Sequence, residues 1–172
     1  MPSVRLPTLL LAILPAAAAA QMPSPAPSCT APAALPAELS GWSKPTPLKA
    51  AATDPTKAQL TLARAVTATL LPAPGIRYPL RPEKPGTPAT HGGLFAFTVG
   101  EAGRYRVALG AGAWVDVVKD GAAITSVAHG HGPDCSGVRK MVDFDLEPGR
   151  YMLQIAGNAT PTLALMVVRL RA

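Results

Sequence analysis

Phe97-Thr-Val-Gly-Glu-Ala-Gly-Arg-Tyr-Arg-Val107 and Phe144-Asp-Leu-Glu-Pro-Gly-Arg-Tyr-Met-Leu153 are one phrase written twice, the second copy a residue shorter. In each, an alternating run ends, Glu-x-Gly turns the chain, and a tyrosine, Tyr105 or Tyr151, opens the next run. Gly103 and Gly149 supply the backbone freedom that such a corner needs. A period of two is the mark of a strand, because successive side chains point to opposite faces. Tyr105, Val107 and Leu109 fall on one face, opposite Arg104 and Arg106. Val142, Phe144 and Leu146 likewise oppose Met141, Asp143 and Asp145. The echo reads as corner chemistry shared by two hairpins.

Runs of the same kind extend outward from this phrase. They are Leu94 to Val99, Arg104 to Leu109, Ala113 to Lys119, Ala122 to Ala128, Val138 to Leu146, Tyr151 to Ala156 and Thr162 to Leu170. Gly, Pro, Asp and Asn separate them at roughly ten-residue intervals, the spacing of an antiparallel sandwich or barrel. Asp120-Gly121 is a two-residue hairpin turn that tolerates positive φ at both positions. Further upstream, Leu60 to Leu71 has a helix-compatible composition. Its threonines and the alternation of Leu60, Leu62, Val66, Ala68 and Leu70 favour a strand. Gly75 to Leu80 is expected to form a short second strand, and Arg81 to Gly93 a Pro/Gly-rich loop. The fold class that follows is all-β: a single antiparallel β-sandwich, jelly-roll-like, over residues 58–172.

Aromatic residues make up only 5% of the chain, so this core must be built from Val, Leu, Ile and Ala with a few rings as anchors. The 20 prolines crowd before Pro88. Proline lacks the N–H and fixes φ, which excludes long helices and central strands from that half. Residues 21–57 therefore read as a proline/alanine-rich extended arm on the domain surface. Its anchors are Leu35, Leu39 and Trp42, with Trp42 packed into a groove.

Residues 1–20 read as a signal peptide. Arg5 and the N-terminus give a positive start, Leu9 to Leu14 an apolar run, and Ala18-Ala19-Ala20 a small-x-small cleavage site before Gln21. The apolar run is too short for a permanent anchor, and no later segment is apolar for long enough to span a bilayer. Proline at Pro27, just before Ser28-Cys29, opposes a lipid-anchor reading of that cysteine. The expected address is periplasmic or secreted. In such a compartment the two cysteines, Cys29 and Cys135, are expected to form a disulfide. It would close a loop of about a hundred residues, worth roughly 4–5 kcal/mol by chain entropy, and pin the arm to the domain.

The formal charge of +6 does not imply nucleic acid. Lys and Arg are scattered from Lys44 to Arg171, and only Arg139-Lys140 are adjacent, with no basic stripe interleaved with aromatics. The chain also lacks a Gly-x-Ser-x-Gly elbow, a His-Glu-x-x-His pair and a phosphate loop.

The pattern Phe97-x-Val99…Gly103-x-Tyr105-x-Val107, followed by Phe144-x-Leu146-x-Pro148-Gly149-x-Tyr151-x-Leu153-x-Ile155, resembles the exported β-sandwich modules of pre-peptidase C-terminal type that accompany bacterial secreted enzymes. That resemblance implies a jelly-roll-like sandwich with a binding role. The run from His91 to Leu170 is also similar to small exported proteins of alphaproteobacteria often labelled homogentisate 1,2-dioxygenase. The label implies iron on a cupin scaffold, held by two histidines and a carboxylate. His129-Gly130-His131 matches the start of a cupin motif, but Cys135 stands where its Glu belongs and no histidine follows His131.

Two candidate sites emerge. Trp114, Asp116, Arg139 and Lys140 would form a small polar pocket with an indole face as a stacking platform for a sugar or other polar ligand. The structural alternative is a rim ion pair. His91, His129 and His131, all beside glycines, would suit zinc or copper, with Asp134 as fourth ligand or supporting partner. The alternative is a set of solvated turn histidines. The first expectation is an exported, non-catalytic binding or accessory protein of the envelope, without cofactor and with a ligand or protein partner there. The second is a metal-binding protein or a metal-dependent oxidative enzyme using zinc, copper or iron. A third is a structural partner pairing through an exposed edge strand.

Overall fold

The alternating runs fold into two packed sheets in the computed structural model, which describes residues 29–31 and 33–171. The leader read at residues 1–20, its cleavage site and the first part of the arm lie outside the described residues. Eleven strands form: β1 (Thr46–Lys49), β2 (Val66–Thr69), β3 (Leu71–Pro72), β4 (His91–Val99), β5 (Gly103–Leu109), β6 (Trp114–Lys119), β7 (Ala122–Ala123), β8 (Ala128–Gly130), β9 (Lys140–Leu146), β10 (Gly149–Asn158) and β11 (Thr162–Arg169). One sheet has the order β1-β2-β11-β5-β9-β8 and the other β3-β4-β10-β6-β7. All strand pairs are antiparallel except β1 with β2, which is parallel. The protein is an all-β sandwich.

The inward faces are those the alternation marked. Phe95, Phe97, Leu153 and Ile155 of one sheet meet Tyr105, Val107, Leu109, Phe144 and Leu165 of the other in a shared core. Each such side chain, fully withdrawn from water, stabilises the fold by about 1.5–3 kcal/mol before entropy is counted. On the opposite face of β5 and β9, Arg104 pairs with Asp145 and Arg106 with Asp143, directly across the ladder.

The echo forms two corners, not two hairpins. β4 and β5 lie in different sheets, as do β9 and β10, so each Glu-x-Gly turn carries the chain across the sandwich. The Tyr105 hydroxyl donates to the Glu101 carbonyl at 2.8 Å, and the Tyr151 hydroxyl to the Glu147 carbonyl at 2.8 Å. Both rings are buried, and the bond back along the chain holds the turn against them. Gly103 and Gly149 adopt φ of 155° and 147°, which side-chain-bearing residues rarely reach. The strands beside each corner cannot pair with one another. They pair with those of the other echo, β4 with β10 and β5 with β9.

Other runs also departed from expectation. Gly75 to Leu80 is not a strand: after a 3-10 turn at Ala73–Gly75 the chain crosses the outer face of the five-stranded sheet. Ile76 is buried there, and Arg77 donates its N–H to the Ala52 carbonyl. The run from Ala122 to Ala128 splits into β7 and the start of β8, because the chain leaves one sheet and enters the other between them. Within Leu60 to Leu71, only Val66–Thr69 and Leu71 are in strands, with Ala63 at a φ of 60° in the turn before β2. Asp120 and Gly121 have positive φ, as their turn requires.

The described part of the arm is built into the sandwich. A 3-10 helix, Ala37–Ser43, buries Leu39 and Trp42 against Ala108, Val138, Met166 and Val168 on the outer face of the six-stranded sheet. β1 then adds an edge strand to that sheet, where Pro47 costs no interior ladder bond. The Cys29–Cys135 disulfide, with Cα atoms 5.4 Å apart and a sequence separation of 106, ties the beginning of this strap to the turn before β9.

Candidate functional site

Val115 and Val117 point into the core, so Trp114 and Asp116 of β6 are placed on the outer face of the five-stranded sheet. β10 sets Gln154 directly beside Asp116. Gln154 is fully buried, because the loop after Ile76 lies across it. Its side-chain amide grips the Leu80 peptide at both ends: Leu80 N–H donates to Oε1 at 3.2 Å, and Nε2 donates to the Leu80 carbonyl at 3.1 Å. Nε2 also donates to Asp116 Oδ2 at 3.2 Å, while Trp114 Nε1 donates to Asp116 Oδ1 at 2.9 Å. Leu80, Gln154, Asp116 and Trp114 thus form one hydrogen-bonded chain. Tyr78 seats the loop a second time by donating to the Ile155 carbonyl at 2.8 Å. Gly92 makes this possible, since a Cβ there would lie 2.1 Å from the tyrosine oxygen.

Two lysines converge on the indole. Lys84 reaches it from the loop and Lys140 from the start of β9 in the other sheet, each ammonium 5.5 Å from the Trp114 ring centroid. Lys140 Nζ also donates to the Ala113 carbonyl at 2.8 Å. Burial holds the Lys140 ammonium below the usual lysine range, and the charge on Lys84 pushes the same way, against Asp116. The Tyr78 hydroxyl is pushed up to about 12, first by burial and then by the Asp116 carboxylate. A cation over an indole face is attracted by the ring quadrupole. The arrangement is a fixed aromatic and cationic surface, suited to holding a polar ligand.

Three of the four residues expected to form a ligand pocket are brought together: Trp114, Asp116 and Lys140. Arg139 is exposed and stays outside the cluster, its N–H donating to the Leu109 carbonyl and its own carbonyl lying 2.7 Å from His131 Nδ1. Lys84, Gln154 and Tyr78 complete the cluster without having been expected. Gln154 left one trace in the sequence, as the lone polar side chain in the apolar run of β10. Lys84 left none.

The histidines are dispersed. His91 opens β4 in one sheet, with Nδ1 buried and lacking a hydrogen-bond partner. His129 lies exposed on β8 at the edge of the other sheet, and His131 and Asp134 follow in the turn beyond it. Among the described residues, no three His, Cys, Asp or Glu side chains come close enough to hold a metal ion. Cys135 is in the disulfide. The zinc or copper set of His91, His129, His131 and Asp134 is not assembled, nor is the two-histidine, one-carboxylate iron set that the dioxygenase resemblance implies.

A wider groove of about 1380 Å³ runs along the outer face of the six-stranded sheet, lined by Arg104, Arg106, Arg169 and Arg171 together with Glu38 and Asp145. Its size does not make it the better site. Arg104 is paired with Asp145, Arg106 with Asp143 and Glu38, and Arg169 with Glu101. These guanidinium groups brace the sheet. No protein-family model and no curated protein matches the chain.

Proposed function

We propose that this protein is an exported, non-catalytic β-sandwich module of the bacterial envelope that binds a polar ligand at the Trp114 face. The observation that carries the reading is the convergence of Lys84 and Lys140 on one indole, the first from a loop pinned by Gln154 and the second from a strand of the other sheet. Support for export comes from the leader read at residues 1–20 and from the disulfide. Among the described residues, no helix is long and apolar enough to cross a membrane. Support for binding without catalysis comes from Asp116, the acid of the cluster. Both of its oxygens accept N–H donors, so it acts as a strut for the ring and the loop. The resemblance to pre-peptidase C-terminal-type modules points the same way.

The test is co-sedimentation of the protein, isolated from the periplasm, with purified peptidoglycan sacculi and with lipopolysaccharide vesicles, beside a Trp114→Ala variant of matched melting temperature. Retention of the wild type by either material, lost in the variant, is expected. Equal behaviour of the two proteins on both materials sinks the proposal.

A further inference from the structure

We infer that Lys84 and Lys140 together bind an oxyanion, a carboxylate or phosphate group of a small ligand, beside the Trp114 indole. This names the ligand chemistry of the site just proposed and rests on that proposal. Two ammonium groups at the same distance from one ring repel each other, and the repulsion is part of what disfavours the charge on Lys140. Asp116 favours the charge on Lys140 from a distance, but among the described residues no ion pair joins it to either lysine, and its oxygens accept from Trp114 Nε1 and Gln154 Nε2. Lys140 gives one N–H to the Ala113 carbonyl, which leaves two donors on that ammonium for a ligand. An oxyanion reaching both lysines would offset their mutual repulsion with charge-assisted hydrogen bonds.

The surroundings favour the same chemistry. The loop that carries Lys84 also carries Arg77 and Arg81, with Glu83 as its one acid. Both lysines are mounted on fixed backbone, one on a loop held at Tyr78 and Leu80, the other on a strand. The backbone that carries the donors therefore needs no ordering when an anion arrives, which is one part of what preorganisation contributes to affinity.

The experiment follows the two indole N–H resonances of nitrogen-labelled protein during titration with inorganic phosphate, galacturonate or neutral galactose at fixed ionic strength. Trp42, on the far face of the six-stranded sheet, is the internal reference. Saturable movement of the Trp114 signal with phosphate or galacturonate, and none at Trp42, is expected. Lys84→Ala should weaken that binding about tenfold or more, and Lys84→Arg should restore most of it, as for a charge-assisted contact. Lys84 is exposed, so neither variant threatens the fold. Unchanged oxyanion affinity in Lys84→Ala overturns the inference. So does the absence of a Trp114 response to both oxyanions. A response to galactose alone overturns it too, while leaving the ligand-binding proposal standing. Loss of co-sedimentation specificity would remove that proposal separately.

Discussion

Tyr151 stands directly opposite Phe97 on the β4–β10 ladder, with ring centroids 5.4 Å apart and planes 17° from parallel. Tyr105 stands opposite Phe144 on the β5–β9 ladder in the other sheet. Each copy of the repeated phrase therefore supplies the tyrosine that meets the other copy's phenylalanine. The two corners are bound to each other through the core, and their hydroxyl bonds become the first place to probe the fold.

Tyr105→Phe removes one hydrogen bond, to the Glu101 carbonyl, and should cost about 1 kcal/mol. Tyr151→Phe removes two, because that hydroxyl also accepts from the Glu147 N–H, and should cost about 1.5–2 kcal/mol. Urea unfolding of both variants measures the difference. A tyrosine corner that mattered only for ring packing would leave both midpoints at the wild-type value.

The two cross-strand ion pairs on the outer face differ in burial, and so should their mutants. Asp143 is buried and bidentate to Arg106 at 2.7 and 2.8 Å. Asp143→Ala leaves the guanidinium with only the longer contact to Glu38, at 3.8 Å, and should cost about 2 kcal/mol. The neighbouring Arg104–Asp145 pair is exposed, and Asp145→Ala should leave the unfolding midpoint unchanged. Equal losses in the two variants would refute this ranking.

Tyr78 links the site to pH. In the folded chain its hydroxyl holds its proton up to about pH 12, whereas the unfolded chain releases it near the ordinary tyrosine value of 10.0. Its contribution is therefore complete below the unfolded value and is lost as pH rises toward the folded one. The ring is only partly buried, so screening keeps the effect to about 1 kcal/mol. The stability difference between wild type and Tyr78→Phe should shrink by that amount between about pH 9 and about pH 12. A difference that stays constant over this interval would show that Tyr78 titrates as it does in the unfolded chain.

Reduction and alkylation of Cys29–Cys135 should lower stability by about 4 kcal/mol, since the bridge closes a long loop in the unfolded chain. Calorimetry or urea unfolding with and without reductant reads this directly. A loss below about 1 kcal/mol would mean that Leu39 and Trp42 hold the strap unaided.

The strands from β4 onward, β7 and β8 apart, were legible because one face of each is buried, so a period of two is imposed on the sequence. The disulfide was legible from the even cysteine count and the compartment expected from the leader. What was not legible depends on which sheet a strand joins. Glu101-Ala-Gly103 and Glu147-Pro-Gly149 would look the same whether they closed hairpins or crossed the sandwich, because corner chemistry is local and pairing is not. The site shows the same division. Trp114 and Asp116 stood out as an indole and a carboxylate in an apolar strand. Tyr78 and Lys84 lie in a segment whose residues carry no periodicity, and only its path over Gly92 and Gln154 brings Lys84 to the ring and Tyr78 to the Ile155 carbonyl. Arg139 was grouped with Lys140 by adjacency, yet only the Lys140 side chain reaches the indole.

β11 is the last of the described strands in sequence, yet it lies between β2 and β5, inside the six-stranded sheet. Until residues 162–169 have been synthesised, that sheet consists of two separate pieces, and β5 has one unoccupied edge. A chain emerging from N to C terminus thus has no complete sandwich to collapse into while it is being extended, and most of its contacts wait for partners far away in sequence. These strands therefore cannot close into one sandwich until residues 162–169 bring the two pieces together.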